Sequence, residues 1–273
     1  MKISFSTLAC PDWSISQIIE TASHAGYDGI ELRFVEGEDS LWKLAAFCGT
    51  QLAVTRRELN DHGLRIACVD TSCRFHFFEA KAREAAIAEG ERLSDLAAEL
   101  GAPGIRVFGD TIQPGSDRDS TRTWIADSIR NLADRITVKG VQVWLETHGD
   151  FVEATETAAI LRECGSPCIG VVWDPVNSLV ATDEAAAQGT TLLGSVIRHV
   201  HVKDFRHSAD GVQYVLSGEG VFPWRDVMQD LKKLQYDRFL SFEWEKKWHP
   251  ELEDAAIAVP HFAKWFRKEF VDG

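Results

Sequence analysis

Four side chains able to bind a metal ion close four short apolar runs in the second half of the sequence. They are Glu146 in Val141-Gln-Val-Trp-Leu-Glu146, Asp174 in Gly170-Val-Val-Trp-Asp174, His201 in Ile197-Arg-His-Val-His201, and Glu243 in Leu240-Ser-Phe-Glu243. Each run reads as a β-strand, in which successive side chains point to opposite faces. Val143 and Leu145 form one face of the first run and leave Glu146 on the other. Asp174 shares a face with Gly170 and Val172, and His201 with His199 and Lys203. Leu240, Phe242 and Trp244 stand opposite Glu243. Taken singly, a strand-end carboxylate more often caps a helix or pairs with a cation. Four such residues on successive parallel strands reach one end of a sheet together, and three carboxylates gathered there would repel one another. A divalent cation removes that repulsion. Three oxygen donors and one imidazole, with room for water or substrate, suit Mn2+, Mg2+ or Co2+ and also accommodate Zn2+, with Mn2+ the first expectation.

The elements that must position these residues alternate along the whole chain. The apolar patterns predict strands over 2–7, 29–33, 65–71, 104–109, 141–147, 169–174, 197–203 and 239–244. Helical periodicity fills most intervals: 16–25, 52–62, 80–100, 121–139, 154–163, 183–194, 224–234 and a closing 260–270. Gly26, Gly63, Gly101 and Gly140 stand where helices end. Eight strands alternating with helices predict an α/β fold, a (β/α)8 TIM barrel, whose active site lies at the C-terminal ends of the strands. No Pro/Ser-rich linker, charge block or low-complexity stretch divides residues 1–273, so one domain is expected. An open, doubly wound sheet would need a glycine-rich phosphate turn after the first strand, and Thr7-Leu-Ala-Cys-Pro-Asp12 is not one.

Composition narrows the partners. Lys plus Arg number 29 against 42 Asp plus Glu, a formal net charge of −13, which disfavours nucleic acid and anionic lipid. Met1-Lys-Ile-Ser-Phe-Ser6 enters a strand pattern without the apolar run of a signal peptide, and no stretch approaches the roughly 18 apolar residues of a membrane span. The six cysteines form no CxxC pair and read as free thiols of a reducing compartment, although a Gly-Ser-Pro turn could bring Cys164 and Cys168 together. A cytoplasmic location is the expectation.

The sequence resembles the xylose-isomerase-like barrel superfamily of sugar isomerases and epimerases. The matching stretches are Tyr27-Asp-Gly-Ile-Glu-Leu-Arg33, Trp144-Leu-Glu-Thr-His148, Val172-Trp-Asp-Pro-Val-Asn177, His199-Val-His-Val-Lys-Asp204, Gly218-Glu-Gly220 and Leu240-Ser-Phe-Glu-Trp-Glu245. They run in the superfamily's order over nearly the whole chain. The resemblance implies one divalent ion on Glu146, Asp174, His201 and Glu243, with Glu146 and Glu243 also the acid/base pair of the ketose 3-epimerase branch. A sugar with a carbonyl beside a hydroxyl can chelate such an ion, which stabilises an enediolate when the neighbouring proton is removed. Return of the proton to the opposite face gives epimerisation, and return to the adjacent carbon gives isomerisation. Expulsion of a β-leaving group makes the same apparatus a lyase or dehydratase of a keto-sugar, inosose or 3-keto-glycoside. A non-catalytic sugar-binding barrel is a further reading. Apurinic endonucleases share the fold but use three metals and more histidines. Barrels of this superfamily often self-associate, so a homo-oligomer is a further implication.

Asn177 and His207 stand where the epimerase branch typically carries a histidine and an arginine, with Arg206 beside His207. His148, two residues past Glu146, is expected to contact substrate or support the metal cluster. Lys203 is expected to meet a substrate oxygen or else pair with Asp204 or Glu245. Glu31 contacts substrate hydroxyls or pairs with Arg33 on the same face, and Asn177 reaches substrate from the loop after Asp174. His76 reads as an ordinary loop residue and Glu219 as structural. Strand parity turns Trp173 and Trp244 towards the helices, whereas Trp13 and Trp248 are candidates for an apolar pocket wall.

Overall fold

A computed structural model describes residues 1–209 and 211–272. Eight parallel strands close into a barrel in the order β1 (Lys2–Ser6), β10 (Phe239–Phe242), β7 (Ile197–Val202), β6 (Ile169–Trp173), β5 (Gln142–Glu146), β4 (Gly104–Phe108), β3 (Arg65–Arg74) and β2 (Gly29–Leu32). The fold is the (β/α)8 TIM barrel. Strands β8 (Asp204–Ser208) and β9 (Gly211–Val215) form a separate antiparallel hairpin.

The helices follow from apolar faces and local caps. In α1 (Ile15–Ala25), Ile15, Ile18, Ile19 and Ala22 recur at helical spacing and are buried, each isoleucine worth about 1.5–3 kcal/mol of hydrophobic stabilisation. The Ser14 hydroxyl accepts the Gln17 N–H at 3.3 Å to start this helix, and Gly26 ends it at φ 75°. The other helices are α2 (Gly49–Asp61), α3 (Ala80–Leu100), α4 (Arg118–Ile136), α5 (Ala154–Cys164), α6 (Pro175–Thr182), α7 (Ala186–Leu193), α8 (Trp224–Lys233) and α9 (Ala255–Phe270).

Two compact groupings of residues are apparent. One comprises Met1–Ala67, His201–Asp226 and Asp237–Gly273, and holds an aromatic stack of Trp244 on Phe242 (5.6 Å) and Phe242 on Phe262 of α9 (4.8 Å). The other comprises Cys68–Val200 and Val227–Tyr236. Inside it the Trp144 indole packs with Cys68 and Val172 and lies parallel to His199 at 6.1 Å. The indole leaves no space for a side chain at Gly104 on the next strand. Trp173 points the other way and fills the space over Gly189 in α7. Both Trp173 and Trp244 are fully buried on the helix side of their strands.

Three elements differ from the sequence expectation. The region after β6 holds α6 as well as α7, because Asp174-Pro175 starts a helix at once: Pro occupies the first turn and Asp174 caps it. The hairpin β8–β9 is mostly exposed, so it lacks the apolar alternation that reveals a strand. Helix α9 begins at Ala255 and carries Pro260 inside it. Pro260 gives up one backbone hydrogen bond, but Ala255, Ala258, Val259 and Phe262 continue a single buried face across it.

Candidate metal centre

Glu146 is the last residue of β5 and is 3% exposed. Beside it lies Arg106 of β4, whose Nε is 3.2 Å from Glu146 Oε2 and whose Nη2 is 3.1 Å from Asp70 Oδ2 on β3. The register that pairs Asp70 with Arg106 makes this buried relay, and the guanidinium also stacks 4.0 Å from the Phe108 ring centroid. Asp174 follows β6 directly. Its backbone N–H donates to the Thr147 hydroxyl at 2.8 Å, and its Oδ1 accepts the N–H groups of Val176 and Asn177, both at 2.9 Å. One oxygen thus caps α6, which fixes the orientation of the carboxylate.

Near the end of β5, His148 Nδ1 lies 3.2 Å from Asp110 Oδ1, and Arg74 Nε lies 2.7 Å from Asp110 Oδ2. Burial draws the His148 imidazole down, but the hydrogen bond to Asp110 and the charge of Glu146 outweigh it and raise its proton affinity. Burial pushes Asp110 up, while the His148 bond and Arg74 bring it below its ordinary value. His76 joins this group: its Nδ1 is 3.2 Å from the Gly109 carbonyl and 4.0 Å from Asp110, and burial lowers its affinity for a proton.

His201 and Glu243 belong to β7 and the end of β10. His201 Nδ1 is 3.3 Å from Glu243 Oε1, and Nε2 is 3.2 Å from Glu31 Oε1 on β2. Lys203, only 1% exposed, sets its ammonium 2.8 Å from Glu243 and 2.6 Å from Glu245. Burial pushes the Glu243 carboxyl up, yet His201 and Lys203 together hold it well below the usual carboxylate range.

Glu146, Asp174, His201 and Glu243 each offer one ligand atom, and these atoms lie within 4.8 Å of one another, all in buried residues. Three carboxylates and one imidazole so close and so dry form a cluster that could hold a metal ion, since an ion offsets the mutual repulsion of the carboxylates. Glu31, His199 and His201 meet the same distance but supply a single carboxylate. The four-residue set is therefore the better match to a divalent cation.

Of the other residues expected at the site, Glu31 sits against His201, while Arg33 turns to Asp39 at 3.8 Å. Lys203 pairs with Glu245, as one reading had it, and also with Glu243. Asn177 is in the first turn of α6 rather than on a loop, and its side chain donates to the Thr147 carbonyl at 3.5 Å. His207 and Arg206 lie exposed on the hairpin, where Arg206 donates to the Glu219 carbonyl. Trp248 is 56% exposed and meets Phe34 edge-on. Arg106, Asp70 and Asp110 were not expected here. A lone charge inside each of the apolar strands Gly104-Ile-Arg-Val-Phe and Cys68-Val-Asp-Thr is the signal that points to the first two.

A closed parallel barrel with this buried cluster at the strand ends defines a class: the (β/α)8 barrels able to hold a divalent ion at the mouth. Residues 19–268 match the family described as xylose isomerase-like TIM barrel, and the chain belongs to that family. No curated protein sequence matches it. Among solved structures, it is similar to the probable 3-DHS dehydratase AsbF from Bacillus anthracis, at 21% identity and TM-score 0.79 over 98% of this chain and all of that one. It is similar to 3-keto-D-glucoside 4-epimerase YcjR from E. coli at 18% identity and TM-score 0.78, covering 98% and 99%. The IOLI protein, solved with a bound zinc atom, aligns at 17% identity and TM-score 0.81 over 99% and 100%. At these identities the likeness is one of fold. No helix among the described residues is long and apolar enough to cross a membrane.

Proposed function

We propose that the chain, as a single domain over residues 1–273, is a divalent-metal-dependent isomerase or epimerase of a small sugar or keto-sugar. The observation that carries this reading is the buried group of Glu146, Asp174, His201 and Glu243 with ligand atoms within 4.8 Å. The donor set suits Mn2+ best, with Mg2+, Co2+ and Zn2+ compatible. A bound ion supplies Lewis acidity to a carbonyl and its neighbouring hydroxyl, making the intervening C–H acidic. Asp174 and His201 hold their positions through the α6 cap and Glu31. Glu146 would accept the proton from the carbon, steadied by Arg106. Glu243 would take a proton from solvent and pass it to the other face, after which Glu146 would give its own proton back to solvent. His148, Lys203 and Asn177 complete the substrate surroundings, and Glu31 acts on the substrate through His201.

A second reading, dehydration of a keto-sugar or related ring ketone, draws on His148. Loss of a hydroxyl needs a proton donor, and His148 has raised proton affinity and an Asp110 partner two residues beyond Glu146. The likeness to a probable 3-DHS dehydratase agrees with this reading. The test is a screen of ketoses, inososes and 3-keto-glycosides with Mn2+ in deuterated water, followed by NMR. Deuterium at the carbon beside the carbonyl with an isomeric product supports the first reading, and an eliminated product the second. No exchange in any substrate, with metal bound, refutes both in favour of a binding protein. A cytoplasmic setting and self-association belong to the same proposal.

A further inference from the structure

A cavity of about 680 Å3 lies between the loop that leads into α8 and the second half of α9. None of the four cluster residues lines it. Its walls are aromatic: Phe222 and Trp224 pack at 4.7 Å, and Trp265 and Phe270 meet edge-on at 5.3 Å. Gly218, at φ 86°, lies so close to the Trp265 indole that a side chain there would collide with the ring.

Most of the charged side chains lining the cavity have partners. Asp204 is 2% exposed and accepts the N–H groups of Phe205, Gly218, Gly220 and Phe222 at 2.9–3.2 Å. Glu219 pairs with Arg206 at 3.6 Å, and Arg225 pairs with Glu269. That leaves Lys264 and Lys268, one helical turn apart on α9, and the exposed Asp226. Neither lysine has an ion-pair partner among the described residues. Lys264 and Lys268 thus set two ammonium groups without an ion-pair partner among these residues beside an aromatic wall. Ser217 is 1% exposed, and its hydroxyl has no hydrogen-bond partner among the described residues, while its carbonyl accepts from His261 Nε2 at 2.9 Å.

We propose that this cavity is a binding site for a small aromatic monocarboxylate. The ring packs against Trp265, the carboxylate meets Lys264 and Lys268, and the Ser217 hydroxyl serves a polar ring substituent. The two ammonium groups suit a carboxylate, whereas a phosphate dianion would meet more repulsion from Asp204 and Asp226 on the same lining. The site adjoins the metal centre through backbone: the Trp224 indole N–H donates to the Lys203 carbonyl at 3.0 Å, and Asp204 is the next residue. The proposal stands independently of the reaction at the metal centre.

Benzoate and inorganic phosphate are the probes, titrated into the full metal-loaded chain by calorimetry, with saturation-transfer NMR on the benzoate ring. The expected result is one benzoate per chain, bound at least tenfold more weakly by Lys264→Ala/Lys268→Ala and unaltered by EDTA or by Asp174→Ala. Phosphate is expected to give no comparable binding. The proposal is overturned if benzoate does not bind, if the double variant binds within threefold of the parent, if binding vanishes with EDTA, or if phosphate binds equally well.

Discussion

Replacing Glu31 by Gln isolates one buried charge at His201. Glu31 and His201 are both 0% exposed, and Glu31 Oε1 faces His201 Nε2 at 3.2 Å. Each ring nitrogen faces a carboxylate oxygen, Nε2 that of Glu31 and Nδ1 that of Glu243 at 3.3 Å. An ion on the cluster would need the Nδ1 lone pair, which puts the ring proton on Nε2 against Glu31. That tautomer is the one a metal requires. Hydrogen bonds to charged groups contribute about 1.5–3 kcal/mol, and neutral ones about 0.5–1.5. Gln keeps an acceptor but loses the charge, a difference of about 1–1.5 kcal/mol, or roughly tenfold in metal affinity. This falls at the lower end of the roughly 10–100-fold seen when outer partners of metal-bound histidines are changed. The measurement is competition for Mn2+ against a chromophoric chelator, with circular dichroism and melting to establish that Glu31→Gln folds like the parent. A folded Glu31→Gln protein that binds Mn2+ within twofold of the parent would refute the reasoning, because the charge of Glu31 would then not support His201 as a ligand.

Metal analysis is expected to give about one divalent ion per chain, lost in His201→Ala and in Asp174→Ala. Asp174→Ala should also lower stability in urea by about 1 kcal/mol, because it removes the cap of α6, whereas Asp174→Asn should recover most of that loss without restoring the metal. Glu146→Gln and Glu243→Gln are each expected to abolish solvent-deuterium exchange at the carbon beside the substrate carbonyl; persistent exchange in either would end the two-base assignment. Burial pushes the Glu184 carboxyl above its ordinary value, against the Ala154 N–H that it accepts at 3.0 and 3.1 Å. A raised folded value means that its stabilising contribution is present in acid and lost as pH rises through that value. Glu184→Gln should therefore gain on the parent between about pH 4 and about pH 8 in urea titrations, and an unchanged difference would contradict this.

All eight barrel strands are legible in the sequence because a strand buried on both faces is a short, nearly continuous apolar run, as in Ile169-Gly-Val-Val-Trp173. The cluster is legible for the same reason: parity and strand order decide which end of the sheet a residue reaches, and both are local. What the sequence hides is pairing between distant strands. Arg106 stands out as a charge inside a buried strand, but its contacts with Asp70 and Glu146 depend on the register of three strands. Glu31 shares a face with Arg33, so the two looked like natural partners. The contacts of Arg33 with Asp39 and of Glu31 with a histidine 170 positions later have no such local signal. The hairpin β8–β9 escaped notice because exposed strands need no apolar face.

The two proposed acid/base glutamates share an arrangement that bears on how the reaction must run. Each has a buried cation within hydrogen-bond range, Arg106 at 3.2 Å from Glu146 and Lys203 at 2.8 Å from Glu243, and each cation is shared with a further carboxylate, Asp70 or Glu245. At Glu243 the pairing holds the carboxyl well below its usual range, which leaves it weak as a base. A weak base removes a proton from carbon only if that proton has been made acidic by something else. Under the proposed reading a bound ion would supply that acidity, and each glutamate that would ligate it has a cation beside it. Asp70 and Glu245 share these cations, which weakens the hold of each on its glutamate. Removing Asp70 or Glu245 would therefore strengthen the grip of Arg106 or Lys203 on its catalytic partner and depress proton transfer, although neither residue touches the reacting carbon.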